Sequence, residues 1–146
     1  MDRALNYMAL ARKAGRIELG EEPVGAAARA QHARLVIVAS DASDHTWRRA
    51  QSYVFQTGQQ CIRVPFTKDA LGQTIGRTEL SLAAFTDPAL ALAFTQALND
   101  PKKYGAVLED LSNRTRRVRQ HQREEKAHQR NKQTGRTRRG SETKKN

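Results

Sequence analysis

The sequence predicts an α/β domain, with helices packed on both faces of a four-stranded sheet, followed by a disordered basic C-terminal tail. Three observations carry this. Helix and strand signals alternate as α β α β α β α β α with short connections, which is the pattern of a layered α/β domain. One strand, LVIVA at residues 35–39, is continuously apolar between polar neighbours, as a strand covered on both faces must be. The charge is lopsided: residues 1–100 carry 11 Lys and Arg against 10 Asp and Glu, whereas residues 101–146 carry 15 against 5, so nearly all of the net +11 lies in the last third.

The elements follow in order. Tyr7, Leu10, Ala11 and Ala14 stand at helical spacing over residues 4–14, and Gly15 supplies a C-terminal stop. Ile17 to Leu19 reads as a short strand. Pro23 suits the first turn of a second helix that places Val24, Ala27 and Ala28 on one small face. After LVIVA, Ser43 and Asp44 are N-cap candidates for a helix that turns Trp47, Ala50 and Val54 inward and Arg48 and Arg49 outward, with Gly58 able to end it. CIRV at 61–64 is a strand stopped by Pro65. Thr67 can cap a helix burying Leu71 and Ile75 and ending at Gly76. LSLAAF at 80–85 is the fourth strand, and Asp87-Pro88 opens a last helix with Leu90, Phe94, Ala97 and Leu98 on one face. Strand order is not fixed by these signals.

Pro101 closes the expected domain, 1–100. The remainder, 101–146, reads as a basic and largely disordered tail. YGAVLEDLS at 104–112 can add a turn or two of helix with Tyr104, Val107, Leu108 and Leu111 on one face, docked on the domain or on a partner. From Asn113 onward Val118 is the sole large apolar residue, so ordering that stretch costs backbone entropy without burial to offset it. It is expected to be mobile when free and helical in its middle when bound.

At 146 residues and 16.4 kDa the chain suits one domain, and its 38% hydrophobic content and mean hydropathy of −0.77 place part of the length outside a core. The basic tail points to a polyanion, since each Lys or Arg that neutralises a phosphate releases counterions. RNA, DNA and anionic membrane all fit that charge, but a membrane partner is not expected, because the tail has too few large apolar residues for an inserting face, and the N-terminus lacks a signal-peptide run. A cytoplasmic location is therefore expected. Cys61 is the sole cysteine and the four histidines fall on unrelated segments, so neither a disulfide nor a metal site is expected. GRIELGEE has phosphate-loop glycine spacing, but Glu21 and Glu22 occupy the Lys and hydroxyl positions and would repel a triphosphate. Asp41 and Asp44 are read as loop and capping residues. No catalytic set and no cofactor site emerges.

Four stretches together resemble a known family: LARKAGRIELGEE at 10–22, LVIVASDAS at 35–43, VPFTKDALGQTIGR at 64–77 and AAFTD at 83–87. They are similar to the L-seven-Ae/L-thirty-e family of RNA-binding ribosomal proteins, and most to its bacterial YlxQ branch, over about residues 4–98. The resemblance implies a three-layer α/β/α sandwich around a four-stranded mixed sheet. It also implies RNA binding, in its best-known members to kink-turns, RNA bends built on sheared G·A pairs. By position it assigns RNA contact to Gly20 through Ala26, with Glu21 and Glu22 at the helix start, and to Arg77, Thr78 and Glu79 after the LGxxIG-like helix, with Lys68 nearby. The family's Gly-x-Asn-Glu-x-x-Lys motif is altered here: Glu22 replaces the asparagine, Pro23 the glutamate and Ala26 the lysine.

Carboxylates at a helix start have two readings. They can accept hydrogen bonds from base amino and imino groups, or they can simply interact with the helix dipole, worth about 0.3–1 kcal/mol each. Lys13 and Arg16 are added as basic RNA contacts, and Arg114, Arg116, Arg117 and Arg119 as tail contacts to phosphate. The resulting expectation is a non-enzymatic protein, monomeric when free, that binds structured RNA such as ribosomal RNA. One alternative is a protein-interaction module that docks on a translation factor or ribosomal protein while the tail alone holds nucleic acid. Another is the substrate-binding fragment of an RNA methyltransferase.

Overall fold

In the structure, a computed structural model that describes residues 2–133, the first helix begins where a short acid can cap it. The Asp2 carboxylate accepts the Ala4 N–H at 2.8 Å, and α1 runs Arg3–Lys13. Gly15, at φ +69°, turns the chain so that the Arg16 N–H returns to the Ala11 carbonyl. Ala4, Met8 and Ala11 form the buried face of α1, whereas Leu10 is half exposed and Ala14 exposed. The apolar face is thus rotated from the one expected: Met8 fixes the phase, and small alanines at several positions left it ambiguous in the sequence.

The other elements are β1 Ile17–Leu19, α2 Glu21–Arg29, β2 Leu35–Val38, α3 Asp44–Val54, β3 Gln60–Arg63, α4 Lys68–Thr74, β4 Leu82–Phe85, α5 Pro88–Ala97 and α6 Pro101–Gln133. Ser43, Thr67 and Asp87 cap α3, α4 and α5 through side-chain oxygens that accept the N–H three residues on. α3 stops before Gly58, at Val54, where Gln56 takes a left-handed conformation at φ +58°.

The sheet order is β1-β4-β2-β3. β2 and β3 are parallel, joined across α3, while β4 lies antiparallel to both β2 and β1, so the sheet is mixed. β2 and β4 are central and wholly buried, in keeping with their uninterrupted apolar sequences. α2 and α3 pack together on one side, and α1 packs with α4 and α5 on the other. Phe85, Phe94, Met8, Leu35, Ile37 and Leu71 are the largest fully buried side chains.

The first compact unit runs to Ser112, twelve residues past the expected boundary, because the start of α6 belongs to its core. Tyr104 and Leu111 are buried, Val107 and Leu108 pack against the core, and the Tyr104 hydroxyl donates to the Arg63 carbonyl at 3.0 Å. The helix then continues through residues 113–133, further than the turn or two expected. No proline or glycine interrupts residues 106–133, and Arg, Gln, Glu and Lys are good helix formers. His121 and Glu125 meet at 2.9 Å, and Gln120 and Glu124 at 3.4 Å, each one turn apart. The expected disorder of the last stretch, 134–146, lies outside the described residues.

Candidate nucleic-acid interface

The turn from β1 into α2 depends on Gly20. Its N–H donates to the Leu82 carbonyl at 3.1 Å, and its backbone lies at φ +93°, ψ 170°, a region essentially confined to glycine. α2 starts directly afterwards with Glu21, Glu22 and Pro23 in its first turn, all exposed, and no side chain caps it. The two glutamates are not equivalent. Glu21 Oε1 lies 2.8 Å from Arg49 Nε of α3, and the same Nε reaches the Tyr53 hydroxyl at 3.1 Å. The bond to Tyr53, and after it the Glu21 carboxylate, push the Arg49 pKa above its ordinary value. Glu22 has no hydrogen bond or ion pair among the described residues.

The second segment is held by α4. The Asp41 carboxylate accepts the Lys68 N–H at 2.8 Å, so this loop acid holds the start of α4. The Lys68 carbonyl accepts the Leu80 N–H at 3.0 Å, and the Gly72 carbonyl accepts the Arg77 N–H at 2.8 Å. Arg77, Thr78 and Glu79 are therefore fastened along α4 with their side chains exposed, while Lys68 is half-buried. The chain then enters β4 through Ser81, whose carbonyl accepts the Ala39 N–H at 2.9 Å. Since Gly20 bonds Leu82, three residues past the 77–79 loop, the Gly20 turn and that loop lie at the same end of the sheet.

Lys13 and Arg16 are not brought to that end. The Arg16 carbonyl accepts the Thr86 N–H at 2.9 Å, past the opposite end of β1 and β4. Four residues of extended chain separate Arg16 from Gly20 by roughly 13 Å. Arg16 lines a groove of about 560 Å³ with Glu18, His32 and Arg34 and with Pro23 and Ala26 of the Gly20–Ala26 segment. Arg114, Arg116, Arg117 and Arg119 lie on α6, where Arg116 hydrogen-bonds Asn113.

Two cations near the sheet's loop end escape a reading of the sequence. One is Arg49, already described. The other is Arg63, at the last position of β3, whose guanidinium lies 5.0 Å from the Trp47 ring centroid and donates to the Ser40 carbonyl at 3.3 Å. The signal for Arg63 was its place just before the strand-stopping Pro65, but naming its partners requires knowing that β3 runs parallel to β2.

Among the described residues, no group of three or more His, Cys, Asp and Glu is placed to hold a metal, and no helix is long and apolar enough to cross a membrane. No family model and no curated protein matches this chain. Solved structures do. A Bacillus halodurans protein of unknown function superposes with a TM-score of 0.63 at 24% identity, over 68% of this chain and all of that one. A Giardia lamblia 15.5 kD RNA-binding protein superposes with a TM-score of 0.54 at 19% identity, over 70% of this chain and 85% of that one. The fold is shared with both.

Proposed function

We propose that this chain is a non-enzymatic RNA-binding protein of the L-seven-Ae/L-thirty-e kind, acting in the cytoplasm on structured RNA of the translation apparatus, with ribosomal RNA as the target. The observation that carries this reading is that Gly20–Glu22 and Arg77–Glu79 lie at the same end of the sheet, where the Gly20 N–H donates to the Leu82 carbonyl. The Giardia protein that shares the fold binds RNA, which supports the same reading. The division of labour is chemical. Glu22, exposed and unengaged, can accept from base amino and imino groups, while Lys68 and Arg77 donate to phosphate. The basic α6 adds sequence-independent, salt-sensitive affinity. With Pro23 and Ala26 in place of the family's glutamate and lysine, one base contact and one phosphate contact of a kink-turn binder are missing, so selectivity rests on Glu22 and the 77–79 loop.

The test is ultraviolet crosslinking of the full chain to purified ribosomal RNA, with crosslinked peptides identified by mass spectrometry. Crosslinks in residues 20–26 and 77–79 are expected. Crosslinks confined to α6 would instead support a protein-docking domain with a nucleic-acid-binding tail.

A further inference from the structure

The charge of α6 is not spread evenly around the helix. At 100° per residue, Arg116, Arg119, Arg123 and Lys126 fall within an arc of about 80°. Together with Gln120 and Gln122 they line one shallow recess of about 460 Å³. Between Asn113 and Gln129 the remaining charges are Arg114 and Arg117 against Glu124 and Glu125, which cancel. One face therefore carries four positive charges and the rest of this segment carries none on balance. Arg130 continues the same spacing in sequence. His121 and Glu125 pair away from the cationic arc, which keeps the Glu125 carboxylate off it.

We infer that this stripe is a binding surface for the phosphate backbone of double-helical RNA; the inference rests on the RNA-binding reading above and adds the class of RNA and the residues that hold it. The chemistry selects among nucleic-acid forms. Single strands are held largely by bases stacking on aromatic rings, and residues 105–146 contain no Phe, Tyr or Trp. A straight row of cations with no stacking partner matches a rigid line of phosphates, which in A-form RNA flank a major groove too narrow for side chains to read. The 113–133 segment is about 30 Å long, enough to follow several phosphates along one strand. On this inference Arg114 and Arg117, off the arc, contribute little.

The experiment compares two full-length variants that lose the same charge. One is R116Q/R119Q/R123Q/K126Q, which empties the stripe; the other is R3Q/R12Q/K102Q/K103Q, which removes four exposed cations elsewhere in the chain. Glutamine is nearly as good a helix former as arginine or lysine, and circular dichroism checks that helicity is kept. The probes are an RNA duplex of about 20 base pairs and one of its strands alone, titrated across a salt series. The stripe variant should bind the duplex at least 30-fold more weakly at about 0.1 M salt, with the slope of log affinity against log salt reduced by roughly 3, while the charge-matched variant stays within about fivefold of the parent. Equal losses in the two variants, or tighter binding of the single strand by the parent, would overturn the inference. Crosslinks at residues 20–26 and 77–79 would survive that failure, and their absence alongside intact duplex binding would sink the function reading while leaving the stripe.

Discussion

Gly72 and Glu79 approach so closely that a Cβ on Gly72 would lie 2.5 Å from the Glu79 Cα. This contact lets the 77–79 loop lie flat on α4, and it explains why LGxxIG keeps glycine at a helical position where alanine is otherwise favoured.

Gly72→Ala should therefore destabilise the chain by about 1–3 kcal/mol through overpacking against backbone that has no side-chain freedom to yield. Thermal unfolding measures the loss. RNA affinity should fall as well, because relief of the clash moves Arg77 and Glu79.

Gly20→Ala tests a different cause. A Cβ there meets nothing within 4 Å, so the strain comes from the backbone, at φ +93° and ψ 170°. A cost of about 1–3 kcal/mol is expected, read from denaturant unfolding.

Glu21 and Glu22 should separate in binding. Arg49 already engages the Glu21 carboxylate, so Glu21→Ala should leave RNA affinity within about twofold, whereas Glu22→Ala should lower it by about tenfold, the equivalent of about 1.4 kcal/mol. Filter binding with one structured RNA suffices. No effect of either substitution would mean that both acids serve α2 alone.

Cys61 offers a pH prediction. Burial pushes its thiol up to about 12, with Arg63 opposing the shift weakly. The unfolded chain loses this proton near pH 9 and the folded chain does not, so the unfolded state binds fewer protons between about pH 9 and 12. Stability contributed by the neutral thiol is complete below pH 9 and falls as pH rises through that window. Cys61→Ala should flatten the alkaline decline in unfolding midpoint, and alkylation of the native thiol at pH 8 should be slow.

Much of the fold was legible because its signals are local. LVIVA gave β2 to within one residue at its C-terminal end, and Thr67 and Asp87 capped the helices assigned to them. What was not legible depends on pairing. The Glu21–Arg49 ion pair and the Asp41–Lys68 bond join segments 27 or 28 residues apart, and the separation of Arg16 from Gly20 follows from which strand ends lie together. The length of α6 is not legible for a third reason: past Leu111 it has no apolar period to read, and its helicity comes from propensity and side-chain pairs one turn apart.

The most direct test of the central claim is the affinity of the full chain, at about 0.15 M salt, for a kink-turn RNA and for the same RNA with its G·A pairs replaced by Watson–Crick pairs. Recognition of structured RNA by the face joining Gly20–Glu22 to Arg77–Glu79 predicts a preference of about tenfold or more for the intact bend, abolished in Glu22→Ala/Arg77→Ala. Equal affinity for the two RNAs, unchanged in the double variant, would contradict it.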